Sequence, residues 1–377
     1  MTSRVGRGHE SATIAVTEAL GQDYEVVTGN FMDEILSKYD IFSIFSRRKH
    51  NAEDVYCFCV KRGWNYIANF IYKAAIAALK SKILRKYFVK NTISYLKKIK
   101  PDLVISVIGY VNYRVAEATT ELKIPFIIIP TDLDQAIASC GFEKNVFSKK
   151  KEFPLVKYTI SFKDDDMLRT LKPFIFPTDQ IEEIGFPLRK QFFEPKNIVA
   201  IKNKWKVPLN KPVITLIFGG LGNNYTYSVV KKIFALKTNY HVVACISHNE
   251  PLRKKLEKLR LCSNCSITIV HFVEEISELV ALADVIVIKP GSNVFLEALT
   301  MKKPTIIDLT HKVPLTIEAF NCLFLKEKKL GYVLHKKGEL EALLEDLPEK
   351  IKALNTFFYD ASGFHTKLLK FVKQILP

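Results

Sequence analysis

The chain has 377 residues, too long for one ordinary core and a natural length for two domains. At 48% hydrophobic and 25% charged it has the composition of a folded globular protein, which excludes a low-complexity or disordered chain, and no apolar run is long enough to span a membrane. A formal net charge of +17 points to an anionic partner, whether nucleic acid, anionic lipid or a phosphorylated substrate, unless the lysines simply cover every surface.

Residues 1–10 are polar and glycine-rich, and a helix is predicted from Ser11 to Leu20. Tyr24–Thr28 reads as a short strand, and Asp33–Asp54 has no regular pattern. Lys61–Lys100 is strongly helical, with apolar residues three and four apart at Ile67, Phe70, Ile71, Ala74 and Ala78. Pro101-Asp102 opens a strand at Leu103–Ile108; a helix at Tyr113–Leu122 and a strand at Pro125–Ile129 follow. That rhythm predicts a parallel, doubly wound sheet. After a polar loop at 131–154, Val156–Ser161 and Ile181–Ile184 read as its last strands. The rhythm restarts at Val213–Phe218 and continues through His241–Ile246, Ile267–Val270, Val285–Ile288 and Thr305–Asp308. A final helix is expected from Leu347 to Leu376.

Asp284–Asp308 carries the clearest chemistry. A buried strand runs into Lys289-Pro290-Gly291-Ser292, and a helix starts at once. The N-terminus of a helix offers backbone N–H groups and partial positive charge, which suits phosphate. Glu297 lies along the same helix, within reach of a ribose hydroxyl on the same ligand. Gly219, Gly220 and Gly222 follow the first strand of the second half, so two strand mouths of one sheet face one crevice; a tight strand-to-helix turn explains the glycines alone equally well. In the first half, Gly6-Arg7-Gly8-His9 opens a helix, where a histidine is either a base with a lowered pKa or a surface residue near a loose terminus. Asp132 follows a strand and either orients a reacting group or caps a turn. Asp164-Asp165-Asp166 has the look of a metal site but fits a helix cap better.

Between Leu79 and Lys100 there is no acid among many lysines, and Trp64, Tyr66, Phe70 and Tyr72 lie just upstream. A basic amphipathic segment with aromatics suits an anionic membrane surface, a solvated helix face is the plain alternative, and no nucleic-acid motif accompanies the charge. The seven cysteines, including the lone Cys262/Cys265 spacing, read as reduced thiols of a cytosolic protein, not as a zinc site.

In order, GRGHESA (Gly6–Ala12), KPD (Lys100–Asp102), PTDL (Pro130–Leu133), GFPLR (Gly185–Arg189) with Phe192, FGGLG (Phe218–Gly222), KPGSNVFLEAL (Lys289–Leu299) and the pair Glu318/Asn321 form a series along most of the chain. It resembles the GT-B glycosyltransferases of the group that contains monogalactosyldiacylglycerol synthases, processive diacylglycerol glucosyltransferases and, more distantly, MurG. The resemblance implies an α/β GT-B fold of two Rossmann-like domains facing an inter-domain cleft. Residues 1–185 would form an acceptor-binding, membrane-associated domain, 186–346 a UDP-sugar domain, and 347–377 a helix crossing back to the first.

The implied reaction is an inverting transfer of a hexose or amino-hexose from a UDP-sugar to a membrane lipid, of the diacylglycerol type, without an essential metal or a cofactor. The implied partners are the donor, the lipid and an anionic membrane surface on the cytoplasmic side, with no nucleic acid. Carried over by position, His9 would be the general base or an acceptor-orienting group, and Asp132 is the other catalytic candidate. Gly219, Gly220 and Gly222 would line the donor, Gly291 and Ser292 would hold the diphosphate, Glu297 the ribose, Phe272 and Val273 the uracil, Glu318 and Asn321 the sugar, and Arg189 would approach the phosphate. A UDP-sugar 2-epimerase on the same fold and a non-catalytic nucleotide-binding relic are the alternatives. The chain departs from the family's pattern in four respects. Met1-Thr2-Ser3 leaves no room for its apolar first strand, Ile137 and Cys140 replace a His and a Trp, Ile317 stands for a Gln, and His271 for a Gly.

Overall fold

The structure is a computed structural model, and it describes all residues except 4–7, 37–49, 63, 135–136, 138–141, 143–152, 172–179, 221, 237–238, 260–264, 311–314, 316–317, 355–362 and 377. The chain divides into two compact units, one of Met1–Val60, Trp64–Arg189 and Asp360–Pro377, the other of Lys61–Gly63 and Lys190–Tyr359.

The first unit is built on a four-stranded parallel sheet of β1 (Val104–Ser106), β2 (Phe126–Ile128), β3 (Val156–Ile160) and β4 (Ile181–Glu183), in chain order. β2 is buried throughout, as a strand covered on both faces must be. On one side lie Ala12, Ala15, Val16 and Leu20 of the helix Gly8–Leu20, clustered with Phe364, Leu368, Phe371 and Val372 of the helix Phe364–Ile375. Short alanines on the first helix let the two axes approach. The other side carries the cluster of Phe31, Phe88, Leu96, Val115 and Tyr158.

Met1–Ser3 runs along the free edge of β1. The Met1 amino group donates to Ile105 O at 2.7 Å and Val107 N donates to Met1 O at 3.1 Å. Thr2 N donates to Gly29 O on its other side, and Thr2 and Asn30 form a parallel bridge. These three residues occupy a strand position between β1 and the extended segment that ends at Asn30.

The second unit is a six-stranded parallel sheet of β5 (Val213–Ile217), β6 (His241–Cys245), β7 (Ser266–Val270), β8 (Val285–Ile288), β9 (Thr305–Asp308) and β10 (Gly331–Leu334), in the order β10-β9-β8-β5-β6-β7. Every residue of β5, β6, β8 and β9 is buried, so their near-continuous apolar runs are explained. The order is that of a dinucleotide-binding sheet, with its switch point between β5 and β8, where such sheets open a crevice at the strand ends.

Several expectations are corrected. Asp33–Asp54 is not irregular throughout, since a π-helical turn covers Met32–Leu36 and a helix covers Ala52–Arg62. The basic segment is not one helix: Asn65–Lys80 and Lys82–Ile99 meet at Ser81, which leaves helical geometry at φ −59° and ψ 128°. The final helix is also two, Leu347–Lys352 in the second unit and Phe364–Ile375 in the first. Tyr24–Thr28 carries no strand ladder. β10 escaped sequence reading because its first residue must be glycine: a Cβ at Gly331 would sit 2.0 Å from Thr305 O.

Candidate functional site

The glycines of the second unit lie at its switch point. Gly219 follows β5 at φ +94° and Gly222 stands at φ +67°, both in the left-handed region that side chains avoid. Gly222 N donates to Gly219 O at 3.2 Å and closes the turn, and a Cβ on Gly222 would lie 2.0 Å from Ile246 O. Two polar residues beyond β6 hold this turn: Ser247 Oγ donates to Gly220 O at 2.6 Å, and Asn249 Nδ2 donates to Gly222 O at 3.2 Å. The same Asn249 caps the next helix by accepting from Leu252 N.

At the adjacent mouth, after β8, Gly291 is the N-cap of the helix Ser292–Thr300. Asn321 pins this turn from below: it is fully buried, and its Nδ2 donates to Pro290 O at 2.6 Å and Ser292 Oγ at 2.9 Å. Its Oδ1 is buried with no hydrogen-bond partner. Glu297, on the same helix as Ser292, is 3% exposed. Lys289 Nζ donates to Glu318 Oε1 at 2.8 Å, with Glu318 at the cap of the helix Ala319–Glu327. At the far end of β9, Tyr225 OH donates to Asp308 Oδ2 at 2.8 Å and lies 2.7 Å from Thr310 Oγ1, tying the helix after the glycine turn to the sheet; burial raises this phenol's pKa.

Phe272 is 39% exposed beyond β7, its ring stacked on His248 at 5.2 Å between centroids. Val273 beside it is half-buried. The structure thus brings Gly219, Gly220, Gly222, Gly291, Ser292, Glu318 and Asn321 to two neighbouring strand ends, with Phe272 and Val273 beyond a third strand of the same sheet. Ser247, Asn249 and Tyr225 are the residues sequence reasoning missed. Only Asn249 left a signal, since Asn249-Glu250-Pro251 is a cap followed by proline in the first turn.

In the first unit, His9 sits in the first turn of Gly8–Leu20, and its Nδ1 lies 2.7 Å from Val107 O and 3.2 Å from Thr131 Oγ1. A carbonyl can only accept, so Nδ1 carries the proton and Nε2 keeps its lone pair. Burial lowers the His9 pKa below the usual imidazole value, against the smaller opposing effect of the Val107 bond. The neutral imidazole is therefore the form present at pH 7. Thr131 of the PTDL motif makes the side-chain contact to His9; Asp132, its neighbour, is half-buried in the same bend. Arg189 is half-buried at the end of the first unit. Gly6, Arg7, Cys140, Cys262 and Ile317 lie outside the described residues.

Asp164 caps the helix Asp165–Leu171, with Asp166 N donating to its Oδ1 at 3.0 Å. Among the described residues no cluster of His, Cys, Asp or Glu could hold a metal ion, and no helix is long and apolar enough to cross a membrane. A cleft of about 340 Å³ in the first unit is lined by Met1, Tyr24, Tyr95, Leu103 and Ile105, and also by Val107, the carbonyl partner of His9.

No family model matches the chain. In sequence it is similar to the processive diacylglycerol β-glucosyltransferase of Bacillus cereus (strain G9842), 24% identical over 261 residues. That match takes in 68% of this chain and 63% of the relative, so the chain spans under two thirds of the length of the curated relative it matches. Among solved structures, the S. aureus MnaA–UDP co-structure is similar over 97% of this chain and 94% of its own, at TM-score 0.58 and 13% identity. A putative UDP-N-acetylglucosamine 2-epimerase from Listeria monocytogenes is similar over 100% and 95%, at TM-score 0.56 and 13% identity. MurG from Acinetobacter baumannii is similar over 78% and 81%, at TM-score 0.51 and 14% identity. The chain thus has the GT-B fold, and in sequence it is similar to the processive diacylglycerol β-glucosyltransferases.

Proposed function

We propose that the protein is an inverting glycosyltransferase that moves a hexose or amino-hexose from a UDP-sugar to a membrane lipid of the diacylglycerol type, with no cofactor beyond the donor. The observation that carries this reading is the convergence of the Gly219–Gly222 turn, the Gly291–Ser292 helix start and the Lys289–Glu318 pair on the switch point of the second sheet. A sugar leaves UDP only as fast as the developing diphosphate charge is stabilised, and a helix N-terminus does this without reorganising. On this reading Gly291 and Ser292 face the diphosphate, with Arg189 as a further cation. Glu297 takes the ribose, Phe272 and Val273 the base, and Glu318 the sugar. Asn321 acts one step removed, by holding the turn that presents Ser292.

His9 Nε2 is the base that takes the acceptor's proton, its tautomer fixed by Val107 O, and Asp132 stands beside it in the acceptor half. The acceptor half also exposes Trp64, Tyr66, Ile67 and Phe70 around the start of the helix Asn65–Lys80, on which the cation Lys73 is also exposed. Aromatic rings beside cations suit a peripheral seat on an anionic cytoplasmic leaflet.

The test is calorimetric titration of UDP, followed by mass spectrometry of lipids formed from a panel of UDP-sugars with diacylglycerol-containing vesicles. UDP binding and a glycosylated lipid are expected; a protein that binds no UDP has lost the donor assignment. A second reading, a UDP-sugar 2-epimerase, is favoured by the full-length fold match to the Listeria epimerase. Conversion of a UDP-sugar with no acceptor present would select it.

A further inference from the structure

The side chain of Lys289 lies across the crevice between its two glycine mouths. A Cβ built on Gly219 would meet Lys289 Cε at 3.0 Å, and one built on Gly291 would meet the same atom at 3.4 Å and Glu318 Oε1 at 3.8 Å. Both glycines therefore keep open the space in which this one side chain runs. Its ammonium ends on Glu318, 2.8 Å away, a carboxylate that is 9% exposed while Lys289 is 31% exposed. The lysine thus covers the surface that the two backbone turns offer to an anion, and it neutralises the carboxylate proposed to hold the sugar.

Resting on the UDP-sugar reading above, we propose that Lys289 is an exchange residue: it leaves Glu318 for the diphosphate when the donor enters, and so frees Glu318 to accept hydrogen bonds from sugar hydroxyls. The exchange is favourable because a diphosphate carries more negative charge than one carboxylate, and a lysine head on a flexible four-carbon stem can move between neighbouring anions without backbone change. It also makes diphosphate and sugar recognition interdependent. Without a phosphate the carboxylate stays paired, so a free sugar finds no acceptor there; without Lys289 the carboxylate faces the incoming phosphate as a like charge.

The experiment titrates uridine, UDP and a UDP-hexose into the wild type, Lys289→Met, Glu318→Gln, the double variant and Lys289→Arg, with thermal melting as a check on folding. Lys289→Met is expected to weaken UDP at least tenfold and uridine less than twofold. Glu318→Gln should tighten UDP several-fold, because the lysine no longer has a competing partner, and should abolish the preference for UDP-hexose over UDP. The double variant should bind UDP better than Lys289→Met alone, and Lys289→Arg should keep most of the affinity. Equal UDP affinity in the wild type and Lys289→Met, or no gain in Glu318→Gln, overturns the exchange and leaves the donor reading standing. Failure of the wild type to bind UDP overturns the donor reading itself. Should Lys289→Met not fold, the direction of the Glu318→Gln effect decides alone.

Discussion

The two units present their strand ends in different ways. In the second, the surface proposed to bind the donor is mostly backbone: positive-φ glycines, a helix start, and side chains such as Ser247, Asn249 and Asn321 that hold carbonyls and turns in place. In the first, it is one side chain, His9, poised by Val107 and Thr131, residues 98 and 122 positions away in the chain. A site made of backbone is rigid because the sheet beneath it is rigid, and it suits a ligand part that does not change, such as a diphosphate. A site made of a single ring is easily lost and easily retuned, and it suits the reacting group. Mutations should therefore separate binding from turnover along the boundary between the units.

The largest effect is expected from His9→Ala. Loss of a positioned base should lower kcat by about 10²–10⁴-fold, while the UDP dissociation constant stays within twofold of the wild type. A parallel fall in UDP affinity would break the division of labour. Next comes Gly222→Ala, the reverse case. Its methyl has no room beside Ile246 O and its φ is +67°. Overpacking of this kind costs about 1–3 kcal/mol, to be read in denaturant unfolding, and the displaced turn should raise KM for the donor more than it lowers kcat.

A smaller effect is expected from Asn249→Ala. It removes a helix cap and the tie to Gly222 O, at a cost of about 1 kcal/mol, and should weaken UDP without touching the pH profile. The pH profile itself gives the finest test. A base acts only when unprotonated, and burial holds the His9 pKa below its ordinary 6.5. The acid limb of kcat/KM should thus be centred below pH 6.5, with the profile level on its alkaline side. An acid limb centred above 6.5 would remove His9 as the titrating base.

Much of the second unit was legible in the residues. β5, β6, β8 and β9 are largely apolar runs, as strands buried on both faces of a parallel sheet usually are. Less of the first unit could be read. Its strands β1 and β2 were legible within Leu103–Ile108 and Pro125–Ile129, but the break at Ser81 carries no proline or glycine to mark it. Thr131 stood in the PTDL motif with no role assigned to it, and only the fold sets its hydroxyl against His9.

The sequence by itself determined the alternation of strand and helix, the two glycine-bearing mouths and the histidine at a helix start, because these depend on local backbone preference and on the spacing of apolar residues. Only the tertiary structure decided that β5 and β8 are neighbours, that Lys289 reaches Glu318, that Asn321 serves a turn 29 to 31 residues away, and which His9 nitrogen is free. Those facts depend on strand order and on hydrogen bonds between groups distant along the chain, and local sequence carries no energy term for a contact that exists only once the sheet has formed.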